Sequence, residues 1–196
     1  MLIRIGLKPI YISFNLLIIF LTTGLFNLYS FPINAQSAQI SEKLHKIADS
    51  VSSAAPEGFT IKGKPRYFGT VEKKLENGTI FDYIDGAGVN HIRHGFTGVC
   101  HITFENPDGD RIIADIYDMS STTNASSAFE DENICPPDSV LLNIGEKQTK
   151  TYNYPPDYMI YFIEKNYLVH LSLENDIYKQ NLEAMAVQII NIIKED

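Results

Sequence analysis

Two apolar runs rich in β-branched and aromatic residues, Met159 to Glu164 and Tyr167 to Leu173, are separated only by Lys165-Asn166, and no other feature restricts the fold as much. Side chains of an extended chain point to opposite faces in turn, so this pattern around a two-residue connection demands a tight β-hairpin. Pro155-Pro156-Asp157 leads into it. An alternation lies upstream. Val99, His101 and Thr103 face one way, and Cys100, Ile102 and Phe104 the other. After Asn106-Pro107-Asp108-Gly109 the segment Arg111 to Tyr117 returns, which makes another hairpin. Its turn offers too few oxygen ligands for a calcium loop. Val140 to Thr151 reads as strand or loop.

Helical spacing fills the intervals. Ile40, Leu44, Ile47, Ala48 and Val51 form one apolar stripe over Ser37 to Ser53, opposite Glu42, Lys43, Lys46 and Asp49. Thr79 to His94 is expected to be helical, interrupted by Gly86 and Gly88 and closed by Gly95. A short helix is expected over Ala125 to Asp131 with Asn124 as its cap. The last helix, Ile177 to Lys194, places Leu182, Met185, Ala186, Ile189 and Ile193 on one stripe, with Asn175 or Asp176 capping it. Helix, hairpin, helix, hairpin, helix predicts an α+β domain: an antiparallel sheet built from two β-hairpins, with helices packed on one face. No βαβ run supports a parallel sheet.

Ahead of this domain, Arg4 and Lys8 precede an apolar run from Ile10 to Phe31 that ends in small and polar residues. That order is the pattern of a secretory signal peptide, with cleavage expected after Ala35. The run is also long enough to anchor the chain uncleaved through residues 10–31. The expected organisation is therefore a signal peptide at 1–35, an N-terminal helix and linker at 36–56, and one α+β domain at 57–196. The expected location is exported, periplasmic or extracellular, with membrane contact only if the signal stays attached.

The formal net charge is −8, and the signal segment contributes only Arg4 and Lys8, so the remainder carries −10. Such acidity, with no evident Lys/Arg cluster of the kind phosphate binding needs, excludes nucleic acid as the expected partner. No Gly-x-Ser-x-Gly elbow, phosphate loop, dinucleotide fingerprint or haem motif occurs, so activity as an enzyme is the less favoured expectation.

Three segments carry a family resemblance: Tyr83-Ile84-Asp85-Gly86 within Thr79 to Gly88, then His94-Gly95-Phe96, then Tyr117-Asp118-Met119 followed by Asn124 to Phe129. In that order, and with the tyrosine-rich hairpin after them, they resemble a family of exported bacterial proteins catalogued only as a domain of unknown function (domain of unknown function 6599), over roughly Pro56 to Asn175. The resemblance implies an exported α+β domain and no particular catalysis. His91 and His94 stand where that family is usually aromatic, and Gly88 where a larger residue is usual.

Two kinds of site follow from the residues. His91 and His94, three apart on a helix, together with His101 make a candidate zinc or copper set, although neighbouring strand residues such as Cys100 and His101 point to opposite faces. The plainer alternative is that the two helical histidines replace aromatics on a half-buried face, with no cofactor. Tyr152, Tyr154, Tyr158, Tyr161 and Tyr167 crowd the second hairpin. A non-enzymatic domain binding a small ligand or protein partner is the first expectation, through Tyr154, Tyr161 and His170 or near Gly86 and Gly88, where missing side chains permit close approach. The metal site at His91, His94 and His101 is the alternative. Asp82, Asp85, Asp115 and Asp118 are candidate acid–base groups, with Asp85 also readable as a helix or turn residue satisfying local backbone donors and Asp118 as a cap at a strand end. Cys100 and Cys135 either form one disulfide, closing about 35 residues with roughly 4 kcal/mol of chain-entropy stabilisation, or stay as buried thiols.

Overall fold

The computed structural model describes residues 33–144 and 147–196. The expected signal peptide and anchor thus lie outside the described residues, except for Ile33 to Ala35. Residues 37–196 form one compact unit. Among the described residues no helix is long and apolar enough to cross a membrane.

Eight strands make the sheet: β1 (Thr60–Ile61), β2 (Arg66–Gly69), β3 (Gly98–Glu105), β4 (Arg111–Asp118), β5 (Val140–Ile144), β6 (Lys147–Tyr154), β7 (Asp157–Glu164) and β8 (Tyr167–Leu173). All pair antiparallel, in the order β1-β3-β4-β8-β7-β6-β5, with β2 beside β1 on β3. Both expected hairpins are present, β3–β4 and β7–β8. They are joined edge to edge, with His170 of β8 opposite Asp115 of β4. The sheet exceeds two hairpins because 60–69 and 140–154 add four strands. Val140 to Thr151, readable as strand or loop, is a hairpin joined to β7 through Pro155-Pro156.

Helices cover both faces, which corrects the expectation of one covered face. The central strands explain it: β3 is buried at five consecutive positions, and such a strand needs a layer on each side. On one face, α1 (Ile33–Ser53) contributes Leu44, Ile47, Ala48 and Val51, and α5 (Lys179–Glu195) contributes Leu182, Met185, Ala186, Ile189 and Ile193. They close over Cys100, Ile102, Phe104, Ile116, Phe162 and Leu171 in one apolar layer. Asn175 caps the approach to α5 by accepting from the Ile177 amide.

The opposite face holds a smaller cluster under three short helices: α2 (Phe81–Ile84), α3 (Gly88–Arg93) and α4 (Thr122–Glu130). The single helix expected over Thr79 to His94 is split, because Asp85 turns to φ +51° and a 3₁₀ turn, Asp85–Ala87, intervenes. Gly88 lets α3 sit down on Ile80, where an added Cβ would lie 3.0 Å from the isoleucine. α4 begins earlier than expected. Ser121, not Asn124, is its cap, accepting from the Asn124 amide.

Cys100 and Cys135 are free, buried thiols in different clusters, one on each side of the sheet. The disulfide alternative is not realised, because alternation along β3 sends Cys100 to the face away from Cys135. Burial pushes both thiols up, Cys135 to about 12.

Candidate functional site

The antiparallel register lines up one polar rung across six strands. Arg66 faces His101, His101 faces Asp115, Asp115 faces His170, His170 faces Tyr161, and Tyr161 faces Lys150. The rung lies on the face away from α1 and α5, since its members alternate with Cys100, Ile116, Val169 and Phe162, which fill the apolar layer.

Asp115 is the centre of the rung and only 3% exposed. Its Oδ1 accepts from Tyr83 Oη at 2.7 Å and lies 2.8 Å from His101 Nδ1, while Oδ2 lies 3.5 Å from His170 Nδ1. Burial opposes its ionisation, but the His101 and His170 contacts outweigh that and hold it at about 2, so it is a carboxylate at neutral pH. Tyr83 reaches the carboxylate because the break at Asp85 ends α2 one residue later, and its ring stacks on Phe68 at 4.9 Å. Burial and the Asp115 charge keep the Tyr83 phenol far above its ordinary range. Beyond His101, Thr103 Oγ1 lies 3.0 Å from Nε2. Hydroxyl, imidazole and carboxylate therefore stand in a line.

A cavity of about 330 Å³ opens over the rung. Its floor is Asp115, Tyr117, Tyr161 and His170, its roof Tyr83 and His91, and Ile134 closes one side. Tyr161 and His170 stack at 4.4 Å, and His91 stacks on Tyr117 at 4.5 Å. Burial pushes His91 down to about 4, against a weaker pull from the Ala87 carbonyl, so its ring is neutral at pH 7. His91 Nδ1 and His170 Nε2 are buried without a hydrogen-bond partner. Such atoms cost about 1–3 kcal/mol each when left unpaired.

A second cleft of about 540 Å³ adjoins this cavity, with Ile113 lining both. Lys62, Lys64, Arg66 and Arg111 surround it. Glu105 pairs with Lys62 and, at 3.0 Å, with Arg111. Lys64 and Arg66 have no acidic partner among the described residues; the Arg66 guanidinium rests over the rings of Phe68 and Tyr83, at 5.5 and 6.0 Å. This grouping of Lys and Arg side chains is not among the sequence expectations. The signal was present in Lys62-Gly63-Lys64-Pro65-Arg66, where three basic residues fall within five positions around a bend at Gly63.

Of the residues singled out for ligand binding, the structure brings Tyr161 and His170 into the cavity. Tyr154 is half exposed beyond it, stacked on Tyr152. Gly86 and Gly88 do not line it; Ala87 between them does, since the Asp85 turn directs that residue toward the sheet. The three-histidine set is not assembled. His91 lies against Tyr117, His101 is held by Asp115, and His94 turns to α4, with Nδ1 2.9 Å from Ser127 Oγ and Nε2 2.8 Å from Asp131 Oδ2. Among the described residues no group of three His, Cys, Asp or Glu side chains is placed to hold a metal ion. Of the acid–base candidates only Asp115 enters the site. Asp82 caps Thr79 through its amide and hydroxyl, Asp118 accepts from the Ser120 amide and Asn166, and Asp85 makes the turn.

No family model matches the chain, and no curated protein matches it. It is similar to two solved structures. One is a GTP-binding regulator from Thermotoga maritima, with TM-score 0.43 and 10% identity over 78% of this chain and 87% of that one. The other is the extracellular domain of PknH from Mycobacterium tuberculosis, with TM-score 0.44 and 9% identity over 79% and 96%.

Proposed function

We propose that this chain is an exported domain, periplasmic or extracellular, that binds a small ligand in the cavity over Asp115. The observation that carries the reading is the pairing of aromatic walls with two buried, unpartnered imidazole nitrogens. Small-molecule sites combine a mostly apolar lining with a few convergent polar groups, and this cavity has that composition. His170 Nδ1 lies 3.5 Å from Asp115 Oδ2, and its Nε2, like Nδ1 of His91, is buried without a hydrogen-bond partner. The ligand is therefore a compact molecule with an apolar or aromatic body and at least one hydrogen-bonding group. Export rests on the Arg4, Lys8 and Ile10 to Phe31 pattern.

N-phenyl-1-naphthylamine, a neutral fluorescent aromatic amine, tests the site. The protein purified from its exporting host is expected to bind it saturably, and Tyr161→Ala to weaken that binding at least tenfold. Binding that Tyr161→Ala leaves unchanged would remove the cavity from consideration.

One observation favours a second reading, acyl hydrolysis: the line Thr103 Oγ1, His101 and Asp115 has the order of nucleophile, base and orienting carboxylate. Turnover of p-nitrophenyl acetate, abolished by Thr103→Val in a protein with unchanged thermal unfolding, would support it. No turnover above buffer would eliminate it.

A further inference from the structure

We infer that the ligand of this domain is an anion, its apolar body in the cavity over Asp115 and its carboxylate, sulfonate or phosphate in the adjoining cleft between Lys64, Arg66 and Arg111. The inference rests on the ligand-binding reading above and adds the chemical class.

Charge placement is the first support. The whole chain carries −8, yet Lys62, Lys64, Arg66 and Arg111 gather around one cleft where Glu105 is the carboxylate that engages them. The lining of the cleft holds four cations and no carboxylate, and Glu105 engages two of them, so the lining carries an excess of positive charge. Evenly spread surface charges on an acidic chain would not produce this.

Availability is the second. Lys64 and Arg66 are not consumed by internal ion pairs among the described residues. The Arg66 guanidinium carbon lies 5.5 Å from the Phe68 ring centroid and 6.0 Å from that of Tyr83, so the cation rests against aromatic rings rather than on a carboxylate. A guanidinium preorganised by stacking loses less freedom on binding a carboxylate or phosphate than a free one.

Continuity is the third. Ile113 lines both cavities, and His101 in the cleft bonds Asp115 in the cavity floor. Tyr83 roofs the cavity while its ring carries Arg66. One molecule of modest length spans both. The ionised Asp115 gives the opposite polarity at the inner end, so an anionic group is directed outward to the cleft and a donor-bearing end inward.

The test compares two probes that differ by one group. 8-Anilinonaphthalene-1-sulfonate is N-phenyl-1-naphthylamine with an added sulfonate. The sulfonate is expected to tighten binding about tenfold at low salt, an advantage that shrinks as ionic strength rises. Lys64→Gln/Arg111→Gln is expected to abolish that advantage while the neutral amine binds as before. Equal affinities for the two probes, both weakened by Tyr161→Ala, would overturn the anion inference and leave the ligand site standing. A sulfonate advantage that survives Lys64→Gln/Arg111→Gln would also overturn it. Failure of Tyr161→Ala to weaken either probe would overturn the ligand site itself.

Discussion

The two faces of this sheet are buried by different means. Under α1 and α5, long amphipathic helices meet aliphatic strands, and the layer is apolar throughout. Under α2, α3 and α4, short helices meet a rung of His, Asp and Tyr, and the layer encloses a cavity. Consecutive residues of β7 show the contrast: Phe162 is fully buried in the first layer, and Tyr161 lines the cavity of the second. One face supplies the stability that lets the other keep unpaired nitrogens and open volume.

The sharpest way to break this comparison is to truncate both neighbours. Phe162→Ala is expected to lose about 4 kcal/mol in urea unfolding through lost burial and a new cavity. Tyr161→Ala is expected to lose about half as much, because its ring already borders open space. Equal losses would show the two layers to be energetically alike.

Next in size is Asp115→Ala, expected to cost about 3 kcal/mol, since it strips three donors of their acceptor in a buried place. The native carboxyl sits at about 2 against an ordinary 3.8. Its contribution is therefore complete above about pH 4 and fades as pH falls toward 2. The urea midpoint of the wild type should drop over that window, and that of Asp115→Asn should drop less.

His91 gives a window at higher pH. Its ring titrates near 6.5 in the unfolded chain and at about 4 in the fold, so between those values the unfolded state binds the extra proton. Stability is complete above pH 6.5 and falls by about 2 kcal/mol between pH 7 and pH 5. His91→Phe should remove that loss while keeping the stack on Tyr117. A slope unchanged by the substitution would mean that His91 is not buried neutral. The smallest effect belongs to His94→Ala, expected to cost about 0.5 kcal/mol by thermal unfolding, because a partly solvated pair with Asp131 is worth little.

Much of the apolar layer is legible in the chain. The stripe Leu44, Ile47, Ala48, Val51 and that of Leu182 to Ile193 repeat at helical spacing, and the alternation of β3–β4 marks which side is apolar. Local periodicity determines these, since a side chain's direction follows from backbone geometry alone. It also separates Cys100 from His101, and so already opposes their meeting.

Only the tertiary structure decided the site. His101, Asp115, His170 and Tyr161 belong to four strands, and they form a rung because β4 pairs with β8 in one register. That pairing sets Asp115 against His170, 55 residues further along the chain, and no pattern within either hairpin specifies it; a shift of one residue would send Asp115 to the apolar side. The turn at Asp85, which sets Tyr83 on Asp115 and His91 on Tyr117, is likewise a consequence of docking onto the sheet rather than of helical spacing. Periodicity assigns each residue to a face, and long-range strand pairing decides which residues on that face become neighbours.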